Sequence, residues 1–177
     1  MKTRFDYVSN SSSTSFIVIE KCADINDKRY HYDEPLILPN EYGCCEFGWQ
    51  DARYDDFLSK LNWCAIILNE IHQAKNDTRT FEIDESDASW YTNAKRKMIT
   101  FCENYDKYVN MLIGVCKKHF NLEIKLNFDE DRLFFYIDHQ SGVFEKPENV
   151  KMFESEDTLY TFLASPHSYI QCGNDNY

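Results

Sequence analysis

Asp138-His139-Gln140-Ser141 gathers a carboxylate, an imidazole and a hydroxyl into four consecutive positions, and His167 and Asp175 follow further along the chain. These are the parts of nucleophilic hydrolysis, which needs nucleophile, base and orienting group in mutual hydrogen-bond reach. Ser141 and His139 alternate onto one face of an extended segment. Side chains two apart on a strand diverge, however, and Asp138 points to the other face unless the strand has already turned. The tetrapeptide therefore does not assemble a triad by itself. Asp138, His139, His167 and Asp175 also form a nitrogen-and-carboxylate set of the kind that holds a divalent metal. The plainer alternative is that His139 and Gln140 satisfy backbone groups at a strand end, and that His167, after Pro166, sits at a helix stop. The leading expectation names no catalytic residue, no resident metal and no cofactor. Asp138, His139, Ser141 and His167 are kept as the catalytic alternative, a small metal-dependent hydrolase or nuclease.

A second candidate site is acidic. Asp129, Glu130, Asp131, Asp138, Glu145, Glu148, Glu154, Glu156 and Asp157 face only Arg132, Lys146 and Lys151 in the same stretch, and Glu82, Asp84, Glu85 and Asp87 form a second group. Carboxylates spread over a rigid surface can enter a groove built for phosphates, because attraction there depends mainly on charge. The competing reading is solvated turns and helix ends. The Ser11–Ser15 run could cradle an anion with hydroxyls and backbone N–H groups. It lacks the glycines and lysine of a phosphate loop and is read as satisfying its own turn.

The whole chain supports the acidic reading. Its 177 residues carry 19 basic and 30 acidic side chains, a net charge of −11. Such a surface repels nucleic acid and attracts a protein partner with a basic surface, including a nucleic-acid-binding enzyme. Near the first residues there is no apolar run of signal-peptide length, and no apolar stretch approaches the ~20 residues that cross a bilayer. Cysteines occur at 22, 44, 45, 64, 102, 116 and 172 without a CxxC pair. Reduced thiols, most of them packing as small hydrophobes, and a cytoplasmic location are the expectation.

The elements that must position these groups follow from periodicity. Phe57, Leu58, Leu61, Cys64, Ala65, Leu68 and Ile71 give a helix over 55–73, apolar round more than half its girth and so central. Met98, Phe101, Cys102, Tyr105, Val109, Leu112 and Cys116 predict one long helix over 91–119. Lys117, Lys118 and His119 suit its negative end. Leu122, Ile124, Leu126 and Phe128 alternate as a half-buried strand, and residues 133–137 are expected to return as its hairpin partner. Ser155 is a good N-cap for a short helix that Pro166 stops. A short extended segment is expected at Phe5–Val8, and short strands at Leu36–Leu38, Gly43–Trp49 and Ser168–Cys172. A flexible N-terminal tail is the default reading of the Ser9–Ser15 run; against it, the strand-like Phe16–Ile19 directly after suggests that the segment is tied into a sheet. Together these give a single-domain α+β fold over residues 1–177: a small, mostly antiparallel sheet against two long helices and a short C-terminal one.

The opening Thr3-Arg4-Phe5-Asp6-Tyr7-Val8-Ser9-Asn10-Ser11-Ser12-Ser13-Thr14-Ser15-Phe16-Ile17-Val18 resembles the start of a group of uncharacterised small proteins of Firmicutes, archaea and phages. Those chains begin with a basic residue, an aromatic, then (V)(S/T)NSSS(S/T)SF. Glu46-Phe47-Gly48-Trp49, Asp138-His139-Gln140-Ser141, Ser168-Tyr169-Ile170 and Gly173-Asn174-Asp175 are similar to that group as well. The resemblance implies shared ancestry and a phage or mobile-element setting, and it transfers no catalytic residue. With the charge, it points to a non-enzymatic inhibitor or regulator, such as a counter-defence protein of the anti-CRISPR or nucleic-acid-mimicking kind. A structural or assembly protein is the further alternative.

Overall fold

The computed structural model describes residues 2–4, 13–22, 30, 32–44, 46–48, 51–77, 81–83, 89–128, 136–137 and 142–174. A four-stranded antiparallel sheet is built from β1 (Lys2–Arg4), β2 (Ser13–Glu20), β5 (Ala52–Tyr54) and β8 (Tyr169–Asn174), in the order β1-β2-β8-β5. The serine run enters the sheet at Ser13: Ser13 to Val18 pair with Asn174 back to Tyr169. Ser15, Ile17 and Val18 are buried on β2. β8 continues past Cys172, its expected end, through Gly173 and Asn174.

Two parallel pairs complete the strands. β3 (Leu36–Leu38) pairs with β6 (Ile124–Leu126), and β4 (Glu46–Phe47) with β7 (Tyr136–Ile137). The expected hairpin of β6 with the 133–137 strand is thus replaced, among the described residues, by separate partners. Alternation told which face of β6 is buried, but it carries no information about which strand lies alongside.

α1 (Phe57–Asn76) runs through the middle. Asp56 caps it, Oδ1 accepting from Ser59 N at 2.8 Å. Every residue from Ser59 to Leu68 is buried, so the helix has no solvent face over that length. It packs against α2 (Trp90–Glu103), α3 (Tyr105–Phe120) and α4 (Glu156–Ala164).

The single helix expected over 91–119 is two. Asn104 Nδ2 donates to Thr100 O at 2.8 Å, and the Asn104 backbone leaves helical geometry at φ −94, ψ 3. An asparagine amide that bonds the preceding turn competes with the helix ladder, and the apolar period continues across the break because both helices bury the same side. α3 ends at Asn121, whose left-handed φ of 51 lets Leu122 N reach Cys116 O at 3.1 Å. A 3-10 helix (Pro147–Glu154) precedes α4, whose N-cap is Ser155, accepting from Thr158 N at 3.1 Å.

One continuous core runs from Ile17 to Cys172. At its centre Trp63 meets Phe47 edge-on, ring centroids 4.9 Å apart. Cys64, Cys102, Cys116 and Cys172 are buried and unbridged. Burial pushes the Cys116 thiol up to about 12 and the Cys172 thiol up to about 11, so both pack as inert hydrophobes. Among the described residues, no helix is long and apolar enough to cross a membrane.

Candidate functional site

Glu70, Gln73, Ala74 and Asp77 repeat at three and four residues, which puts them on one stripe of α1. Tyr91, Lys95 and Met98 do the same on the first turns of α2. These two stripes face each other across a groove of about 560 Å³, closed at the side by Ile137, Gly142 and Phe144. Helix periodicity supplies the two walls; a crossing chain from much later in the sequence supplies the third.

Glu70 is the group that stands out. Its Oε2 accepts from Val143 N at 2.7 Å. Gly142 permits that approach, because a Cβ there would lie 3.0 Å from the same oxygen. Burial pushes the Glu70 carboxyl up to about 7, and the Val143 N–H, which favours the anion, only partly offsets it. The groove thus holds a carboxyl that gains or loses its proton near neutrality. Lys95 does not sit free beside it: Nζ donates to Glu82 O at 3.0 Å and lies 5.2 Å over the Tyr91 ring.

The mouth of the groove is aromatic. Trp90 is 63% exposed and Tyr91 48%. Phe144 meets Tyr91 edge-on at 5.3 Å and Trp90 at 6.3 Å. A tryptophan left this open to water is uncommon outside an interaction surface.

The sequence candidates distribute as follows. Asp138, His139, Gln140, Ser141 and Asp175 lie outside the described residues, as do Asp84, Glu85, Asp87, Asp129, Glu130 and Asp131. Ile137 and Gly142, which bracket the Asp138–Ser141 tetrapeptide in sequence, both line the groove. His167 is exposed in the turn after α4, its N–H donating to Ser165 Oγ at 3.2 Å. Ser165 and Pro166 line a different cavity, with Lys60, near the start of α1. Lys60 and Glu70 are roughly 15 Å apart along the helix axis at 1.5 Å per residue. Among the described residues, no three His, Cys, Asp or Glu side chains gather as a metal site.

Of the acidic set, Glu82, Glu145, Glu154, Glu156 and Asp157 are exposed and Glu148 is half-buried. Glu148, Glu156 and Asp157 occupy first helical turns, where the dipole favours a carboxylate. Glu156 also pairs with Lys118 at 3.4 Å. Of the basic residues in that stretch, Arg132 lies outside the described residues, Lys146 is buried and Lys151 is half-buried, while Glu145, Glu154 and Asp157 are exposed.

Sequence reasoning did not single out Glu70. The available signal was an acid placed just after the apolar run Trp63–Leu68 and before Ile71. Compared with protein-family models, curated proteins and solved structures, the chain matches none.

Proposed function

We propose that the protein is a non-enzymatic binding protein that inhibits or regulates a partner with a basic surface, contacting it through the Trp90–Tyr91–Phe144 rim and the Glu70 groove. The carrying observation is the rim: three aromatic rings, two of them largely open to water, at the mouth of a cavity that contains a carboxyl. Exposed Trp and Tyr anchors dominate binding energy at interfaces. An arginine or lysine from the partner gains ring-face attraction at the rim and a charge-assisted hydrogen bond at Glu70. Glu145, next after Phe144, adds an exposed negative charge beside the rim. A nuclease or another nucleic-acid-binding enzyme, inhibited as in phage counter-defence, is the partner class that presents such a surface.

The test is retention of basic proteins from lysate on immobilised protein. A partner held at ~50 mM salt and released by ~0.5 M, where exposed charges are screened, supports the reading. That partner must be lost on Trp90→Ala. Retention that survives both the salt and the substitution overturns it.

A second reading is favoured by one observation: a carboxyl held near pH 7 in a cavity bracketed by Ile137 and Gly142 is tuned as a general base. On that reading the protein is a small hydrolase or nuclease in which Glu70 takes the proton. Ester or phosphodiester hydrolysis that disappears in Glu70→Gln would establish it; hydrolysis unchanged in Glu70→Gln would eliminate it.

A further inference from the structure

Lys60 lies in the first turns of α1 and is 1% exposed. Its Nζ donates to Ser165 O at 2.8 Å, the carbonyl just past the end of α4. An ammonium has three donors, and among the described residues this is the hydrogen bond that the Lys60 side chain makes. Holding a full positive charge there is costly, so burial pulls the amine down to about 8, against the opposing attraction of Asp55 and Asp56. At pH 7 roughly a tenth of the molecules then carry a neutral amine, against roughly 4 in 10,000 for a solvated lysine.

The surroundings resemble a binding site more than a plain core. Lys60 lines a cavity of about 270 Å³. Tyr30, Phe57 and Phe120 form an aromatic wall: Tyr30 stacks on Phe57 at 4.5 Å and Phe57 meets Phe120 at 4.6 Å. Asp55 and Asp56, both exposed, put carboxylates at the mouth. Asp56 is fixed there by its cap bond to Ser59 N, and Asp55 pairs with Arg53 at 3.9 Å.

We propose that Lys60 is a carbonyl-capturing amine that forms an imine with small neutral or cationic aldehydes whose apolar body rests against Phe57 and Phe120. The nitrogen lone pair attacks the carbonyl carbon, and the C=O π pair moves onto oxygen. Two protons leave nitrogen in the two steps, the oxygen departs as water, and a C=N bond remains. Nothing is oxidised or reduced. The protonated imine is a cation, and the Asp55 and Asp56 carboxylates stabilise it while turning away aldehydes that carry an anionic group. This site is separate from the Glu70 groove and does not depend on its reading.

The folded wild-type protein is treated with benzaldehyde and cyanoborohydride near pH 7, so that any imine is reduced to a stable secondary amine, and the labelled lysines are mapped by peptide mass spectrometry. Lys60 is expected to label at least about tenfold faster than the exposed Lys117 and Lys118. It is expected to label about tenfold more slowly with 4-carboxybenzaldehyde than with benzaldehyde. Labelling of Lys60 no faster than Lys117 and Lys118 overturns the proposal, and so does equal labelling of Lys60 by the two aldehydes.

Discussion

The backbone N–H of Val143 donates to the Glu70 carboxylate at 2.7 Å across 73 residues of chain, and this bond joins the third wall of the groove to α1. Burial of that carboxyl, which the bond only partly offsets, sets how the protein responds to pH. The folded carboxyl titrates near 7 and the unfolded one near 4.5. Between those values the folded state holds the proton and the unfolded state does not, so stability from this group is full below 4.5 and falls as pH rises to 7. Glu70→Gln keeps an acceptor for Val143 N and removes the titration. The variant should be more stable than wild type at pH 8, by on the order of 3 kcal/mol, and nearly equal to it at pH 4.5. Urea melts at both pH values decide this, and equal melts at pH 8 would sink it.

Lys60 has the opposite sign. Its folded value near 8 lies below the unfolded 10.5, so between them the unfolded chain binds more protons and stability climbs with pH. Lys60→Met should abolish that climb. The measurement is the stability difference between wild type and variant, followed from pH 8 to about 10; a constant difference contradicts the assignment.

Asn62 is buried on α1 and holds the turn after β3. Its Oδ1 accepts from Asn40 N at 2.9 Å, and Nδ2 donates to Asn40 O at 2.7 Å and Cys44 O at 3.0 Å. Asn62→Leu leaves these backbone groups without partners. The cost should be about 2–4 kcal/mol, seen as a lower urea midpoint at unchanged slope.

Two glycines should respond oppositely to alanine. A Cβ on Gly43 would lie 2.5 Å from the backbone of Leu58 and Ser59, so the turn and the start of α1 must move apart. Gly43→Ala should cost about 1–3 kcal/mol. Gly114, on the exposed side of α3, has nothing within 4 Å of the same position. Gly114→Ala should stabilise by about 0.5–1 kcal/mol, since glycine is the poorer helix former. Thermal melts of both variants check the contrast.

Local rules carried much of the fold. The central place of α1, the cap at Ser155, the short strand at Leu36–Leu38 and the burial of Cys64, Cys102 and Cys116 were all legible, because each depends on spacing or on one side chain next to its own backbone. Three features depend on contacts that spacing does not encode. Asn104 splits a helix whose apolar period is unbroken. β6 and β7 each choose a partner more than eighty residues earlier in the chain. Glu70 and Lys60 read as ordinary charges on a helix until Gly142–Val143 and Ser165 close over them. Chemistry is dense in sequence at Asp138–Ser141, and the structure puts a tuned carboxyl in the groove that the two flanking residues, Ile137 and Gly142, line.

The pairing of β2 with β8 has a consequence for how the protein is made. Ser13–Val18 leave the ribosome about 150 residues ahead of Tyr169–Asn174, the strand they pair with. At about 5–20 residues per second the nascent strand waits on the order of ten seconds or more for its neighbour. During that interval the β8 side of β2 has no partner, and a chaperone or a foreign strand can take the vacant place. The same layout makes this strand a removable part: a protein lacking residues 13–20 should accept them back as a separate peptide.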